Sequence, residues 1–314
     1  MSSRPEVSIP LRELTVTRRA SATIAVVGNP NSGKSSLFNR LTGMNQRTAN
    51  YPGVTVERRV GRATVGGKGI DLIDLPGTYS LSPNSMDERI AVGVLLGRVL
   101  GTPRPDAILA VVDATRLYQS LYLLQQLIEL GRPLAVALTM SDAAHREGIK
   151  IDAERLSRHL GGVAVFPVVA TTGRGFEPLK AALAKLSGAA PPNVPHVWPE
   201  LEQTVALVEP ELGAKGAGLA RVEIERMLIE GMDESGEIAA VPLVSLEIRK
   251  RIEALRAALF GSDPPLAAEA RRRYSWIRNV LADVQSSGRT AKGRGAAIVE
   301  WINHPWPATV LFIA

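Results

Sequence analysis

A chain of 314 residues, 45% hydrophobic and 22% charged, is long enough for two folded units with a core in each. The absence of cysteine excludes disulfides, thiolate metal sites and cysteine nucleophiles, and the four histidines, His145, His159, His196 and His304, show no zinc-ligand spacing. The net charge of +6, with Arg271, Arg272, Arg273, Arg278, Arg289, Lys292 and Arg294 crowded toward the end, admits a nucleic acid or an anionic lipid surface as partner without selecting either.

Residues 1–21 read as an N-terminal extension that lacks the apolar core of a signal peptide. Residues 23–27 form a short β-branched run, a buried strand, which enters a Gly/Asn/Pro loop and then a helix at 35–41. Further strands are expected at 69–73, 107–112, 133–138 and 163–168, alternating with helices at 86–100, 117–130, 153–160 and 176–186. That alternation predicts an α/β fold over 22–187, a mostly parallel sheet with helices on both faces. Residues 188–199 carry the proline and small residues of a linker. Over 200–284 the strand signals vanish, and helical spacing at 201–208, 219–229, 243–260 and 266–284 predicts a small all-helical domain. Residues 285–300 read as a polar, basic connector. Residues 301–314 turn apolar, like the first turns of a membrane helix with basic residues before it.

The sequence GNPNSGKS over residues 28–35 matches the phosphate-binding loop, and it stands where that loop requires, after a strand and before a helix. Gly28, Asn29, Pro30, Asn31, Ser32 and Gly33 let backbone N–H groups turn toward a β-phosphate. Lys34 supplies a point charge to the β/γ oxygens, and Ser35 offers a hydroxyl to Mg²⁺. With Ser36, these residues open a helix whose N-terminus adds positive potential.

Later residues choose the base. Gly53, Val54 and Thr55 lie about twenty residues after the lysine, where a switch threonine reaches Mg²⁺ and the γ-phosphate. Asp74, at a strand end, can hold Mg²⁺ through water, and the Gly77 N–H can sense the γ-phosphate. Thr139, Met140 and Asp142 stand where GTPases carry Asn-Lys-x-Asp. Asp142 can accept two hydrogen bonds from guanine N1 and N2, which adenine cannot donate. Met140 can cover the base, whereas Thr139 loses the bracing amide, so guanine affinity should be reduced. Val169, Ala170 and Thr171 fill the Ser-Ala-x position, with the Ala170 N–H toward guanine O6. GTP and GDP are the expected ligands, and Asn31, Lys34, Thr55 and Gly77 the expected catalytic group.

The segments GNPNSGKSSLFN (28–39), NYPGVTVE (50–57), DLPGTYSL (74–81), VDAT (112–115) with LYLL (121–124), and GIKID (148–152) resemble the FeoB family of ferrous-iron transporters. The resemblance covers about 22–187 and continues through RYSWI (273–277) into His304 and Pro305. It implies a helical, dissociation-inhibitor-like domain after the nucleotide domain, then a membrane Fe²⁺ permease in the same or a continuing chain. It also implies a place on the cytoplasmic face of a bacterial inner membrane, possible oligomers through the membrane part, and no nucleic-acid partner. In potassium-activated relatives the asparagine matched by Asn31 helps bind K⁺, which would stand in for an arginine finger. Thr78 occupies the position of the water-orienting glutamine of Ras-like GTPases, so intrinsic hydrolysis should be slow. No side chain is evident as general base, Glu88 being a weak candidate. Two other readings stay open: an Era-type, RNA-associated GTPase, and a nucleotide-binding module without turnover.

Overall fold

The computed structural model describes residues 21–43, 46–52, 54–65, 67–193, 195, 197–215, 219–231 and 245–287. Among them a seven-stranded sheet has the order β2-β3-β4-β1-β5-β6-β8. The strands are β1 (Ala22–Gly28), β2 (Gln46–Asn50), β3 (Glu57–Val65), β4 (Lys68–Asp74), β5 (Ala107–Asp113), β6 (Leu134–Thr139) and β8 (Ala164–Pro167). Strands β4, β1, β5, β6 and β8 run parallel, and β2 and β3 add an antiparallel edge.

The central parallel strands β1, β5 and β6 are largely apolar because both of their faces are covered. Ile24 and Val26 face α1 (Lys34–Thr42) and α6 (Phe176–Leu186), in a layer that includes Leu37, Phe38, Leu179 and Leu183. Ala25 and Val27 face the other layer, with α2 (Met86–Leu96), α3 (Leu117–Glu129) and α5 (Ala153–His159). The fold is therefore the α/β sandwich that the strand–helix alternation predicts, followed by helices. Helix α2 ends at Leu96 rather than at 100, because Gly97 adopts φ 75° and turns its N–H back to the Gly93 and Val94 carbonyls.

Four helices follow: α7 (Pro199–Lys215), α8 (Arg221–Glu230), α9 (Leu246–Phe260) and α10 (Pro265–Val284). Trp198, Leu201, Val205, Ile224, Leu228, Ile248 and Ile252 form their own core. Helix α10 also reaches back, and its Ile277, Val280 and Val284 join the nucleotide-domain core beside α3 and α5. Residues 285–287, read from the sequence as the start of a connector, instead form β9 (Gln285–Ser287), antiparallel to β7 (Ile149–Ile151). Their pairing comes from the partner strand, not from apolar content of their own. Asp283 adds an ion pair to Arg155 and a hydrogen bond with His159, both at 2.9 Å, beside this ladder. Most of the extension at 1–21, the connector beyond 287 and the apolar segment at 301–314 lie outside the described residues. Among the described residues no helix is long and apolar enough to cross a membrane.

Candidate functional site: a phosphate loop facing two switch loops and a base loop

Strand β1 delivers the chain to Gly28, where a side chain could not fit: a Cβ would stand 2.5 Å from the Val111 carbonyl oxygen. Asn31 (φ 64°) and Gly33 (φ 80°) are left-handed, which turns the loop over the start of α1. Lys34, Ser35 and Ser36 then form the first helical turn, whose N–H groups have no partner inside the helix. That is the setting for a phosphate. Ser32 is buried and lies close under Gly28, so it presents backbone rather than hydroxyl to the site. Asn29 is also buried, whereas Pro30 and Asn31 are exposed on the outer curve.

The switch residues converge on the same place. A pocket of about 320 Å³ is lined by Lys34, Ser35, Thr55, Glu57, Asp74 and Pro76. Lys34 Nζ and Asp74 Oδ1 are 2.5 Å apart, both side chains largely buried. Thr55 is carried by a tight turn in which the Val54 N–H donates to Tyr51 and the Tyr51 N–H donates to Val56. Tyr51 anchors the turn in the core, and burial pushes its phenol up to about 12. Gly53 lies outside the described residues. Two hydroxyls and a carboxylate on one wall are hard oxygen donors of the kind Mg²⁺ takes, so Ser35, Thr55 and Asp74 fit that ion.

Gly77 sits where a Cβ would be 3.1 Å from Pro30, so this loop lies directly on the phosphate loop. The Thr78 N–H donates to the Gly28 carbonyl at 3.2 Å. The Thr78 hydroxyl is turned inward, donating to the Ser80 carbonyl at 2.7 Å, and has no reach toward solvent. Glu88 accepts from the Asn84 N–H at 2.8 Å and the Tyr79 N–H at 3.4 Å. Its carboxylate thus shapes this loop instead of standing free as a base.

The base loop begins where β6 ends. The Thr139 hydroxyl is buried, 2.6 Å from the Ser32 carbonyl and 3.0 Å from the Val112 carbonyl. The sequence suggested that threonine would forfeit the brace; its shorter side chain still reaches the phosphate loop. Met140 adopts φ 55° and extends toward Gly33. Asp142 lies in the first turn of α4 (Ser141–Arg146), paired with Arg146 at 3.2 Å. The Ser141 hydroxyl donates to Val168 at 2.9 Å, tying this loop to the next. There Val169 is buried and exchanges backbone bonds with Gly173 and Arg174, Ala170 follows it, and the Thr171 carbonyl accepts from Arg40. Asp142 and Val169 border a second pocket of about 450 Å³ with His145, Arg146 and Arg174. Sequence reasoning passed over those three; the signal available was Arg146 one helical turn after Asp142.

Residues 22–183 match the sequence profile described as ferrous iron transport protein B. The chain belongs to that family. Over 165 residues it is 48% identical to the Fe(2+) transporter FeoB of Salmonella typhimurium, and equally to that of Escherichia coli strain K12. The match takes in 51% of this chain and 21% of those proteins, so the chain spans about a fifth of the curated FeoB relatives. Among solved structures, a variant of the S. thermophilus FeoB N-terminal domain bound to GDP superposes with a TM-score of 0.73 at 35% identity, covering 84% of this chain and all of that one. The cytosolic domain of T. maritima FeoB in its GMPPNP form gives 0.67 at 33% identity, covering 84% and 99%. Both FeoB structures extend the likeness well past the profile, into the helices after residue 183. Membership in the FeoB family decides against an Era-type assignment.

Proposed function

We propose that this chain binds GTP and GDP with Mg²⁺, hydrolyses GTP slowly with help from K⁺, and acts as the cytoplasmic switch of a ferrous-iron uptake transporter. The observation that carries this reading is the convergence of Lys34, Ser35, Thr55 and Asp74 on one pocket at the N-terminus of α1. The FeoB relatives solved with GDP and GMPPNP support it. Ferrous iron as the cargo, a continuing membrane permease and a place at the inner face of a bacterial membrane rest on the full-length relatives.

In this reading the phosphate-loop N–H groups and Lys34 hold the β- and γ-phosphates, and Lys34 exchanges Asp74 for phosphate oxygens as the nucleotide enters. Ser35, Thr55 and Asp74 would hold Mg²⁺, which would supply charge neutralisation to the phosphates. The exposed Asn31 amide oxygen would suit a monovalent cation beside the phosphate loop, whose charge would stand in for an arginine finger. Gly77 reports the γ-phosphate through its N–H. Backbone groups of residues 55 and 77 orient the attacking water, since the Thr78 hydroxyl and N–H are both committed elsewhere. Asp142 selects guanine, and Met140 and Ala170 frame the base. Slow turnover then serves as a timer for a conformational switch.

The test is equilibrium binding of a fluorescent GDP analogue with and without Mg²⁺, competed by GDP, ADP and IDP. Tight, Mg²⁺-dependent binding that ADP does not compete, and that Lys34→Ala abolishes, is the expected result. Equal competition by ADP would remove the guanine assignment.

A further inference from the structure

The loop that carries Gly77 is fastened at both ends. Its start lies on the phosphate loop through the Thr78–Gly28 bond. Its far end lies against the helical domain. The Leu81 N–H donates to Gln126 Oε1 on α3 at 2.8 Å, in the interior. Arg226 Nη1 on α8 donates to the Ser82 hydroxyl oxygen at 2.9 Å. Both holders converge on Glu269 of α10. Arg226 meets it through Nη2 at 2.5 Å and Nη1 at 3.2 Å, and Gln126 Nε2 lies 3.4 Å away. Arg273 completes the cluster, donating to Glu269 at 2.8 Å and to both oxygens of Glu129 at 3.0 and 2.9 Å.

Charges this deeply buried need partners, and Arg226 has them in Glu269 and Glu230. The bond to Ser82 is therefore surplus to charge balance. A guanidinium has five donors in a rigid fork, so a hydroxyl held on one prong is fixed in direction as well as distance. The fork is itself immobilised by Glu269. A switch loop pinned in this way at Leu81 and Ser82 keeps a short, defined path back to Gly77.

We propose that Arg226 is a positioning residue for hydrolysis. By holding Ser82 while Gln126 holds Leu81, it fixes the far end of the loop, so that the backbone of residues 77 and 78 stays on the phosphate loop where the attacking water must be oriented. This rests on the GTPase reading above. An unpinned loop retains nucleotide contacts but spends less time in the productive geometry, which lowers kcat and leaves KM alone.

Ser82→Ala removes the latch without unpairing a buried charge, so it is the primary variant, with Ser82→Thr as the conservative rescue. Steady-state GTP turnover, affinity for fluorescent GDP and backbone hydrogen exchange over residues 77–82 are read on the same proteins. The expected result for Ser82→Ala is a kcat lower by about tenfold, as for loss of one charge-assisted bond. KM and GDP affinity should stay within about twofold, exchange at Leu81 should quicken, and Ser82→Thr should restore both kcat and the slow exchange. Arg226→Lys should lose as much as Ser82→Ala, and the double variant no more than either. A kcat within about twofold of the parent, or a loss confined to KM and GDP affinity, would overturn the proposal. If the parent protein shows no turnover, the hydrolysis reading fails separately. Unchanged exchange over 77–82 in Ser82→Ala would then overturn the latch as well, and faster exchange would uphold it.

Discussion

The Thr139 hydroxyl lies 2.6 Å from the Ser32 carbonyl, so a single short side chain ties the base loop to the phosphate loop. It has one proton and two carbonyls in reach, and the shorter contact marks Ser32 as the partner. Thr139→Val keeps the shape and removes the donor. A loss of about 1–2 kcal/mol is expected, seen as roughly tenfold weaker GDP binding. Thr139→Asn, which restores the amide that GTPases carry there, should bind GDP at least as well as the parent in the same titration.

In the proposed function Asp142 selects the base, and its exposed pair with Arg146 is a surface contact. Asp142→Ala should weaken GDP by about a hundredfold, since two hydrogen bonds to a charged acceptor are lost, while ADP binding stays unchanged. Arg146→Ala should change GDP affinity by less than about threefold, as exposed ion pairs contribute little. Competition binding against GDP, IDP and ADP separates the two.

The sequence exposed the parallel strands because burial on both faces makes β1, β5 and β6 continuously apolar, with Ile24, Val26 and Leu109 on one side and Ala25, Val27 and Ile108 on the other. It hid β2 and β3, whose one-sided edge position permits Arg47, Arg58, Arg59 and Arg62 and breaks up any apolar run. The phosphate loop was legible because its motif depends on glycine geometry at Gly28 and Gly33 that few other residues supply. The Thr139 brace was not, because hydroxyl reach depends on how closely β6 approaches the loop. Nor was the contact of Arg226 with Ser82, which joins residues 144 apart in the chain.

Buried charge at the seam between the domains makes stability depend on pH in two opposing ways. Burial, with the Glu129 charge beside it, pushes the Glu225 carboxyl up to about 7, against the pull of Arg226, Arg221 and Arg273. The folded state therefore binds this proton more tightly than the unfolded chain. Stability from this group is full below the ordinary carboxylate range and is lost as pH rises through about 7. Glu269 behaves oppositely: Arg226 and Arg273 overcome its burial and hold it down to about 2. Its stabilisation is present above the ordinary carboxylate range and is lost as pH falls toward 2. Glu225→Gln should flatten the decline in urea midpoint between roughly pH 5 and 8 and leave the acid limb intact. An unchanged slope would show that Glu225 does not titrate there.

Glu269→Ala should be among the most damaging substitutions away from the nucleotide. It takes from Arg226 its closest partner, leaving Glu230 at 3.5 Å, and leaves Arg273 with Glu129 alone; both arginines are nearly fully buried, and a loss of about 3–5 kcal/mol is expected. Calorimetric melting should show a drop of many degrees, whereas Asp263→Ala, which breaks an exposed pair with Arg271, should barely move it.

The central claim is that this chain is a cation-assisted GTPase, and it is tested most directly by GTP turnover in KCl and in NaCl at matched ionic strength, with Asn31→Ala as control. The account predicts slow turnover in NaCl, a clear rise in KCl, and loss of that rise in the variant. Equal rates in the two salts, or stimulation that survives Asn31→Ala, would contradict it.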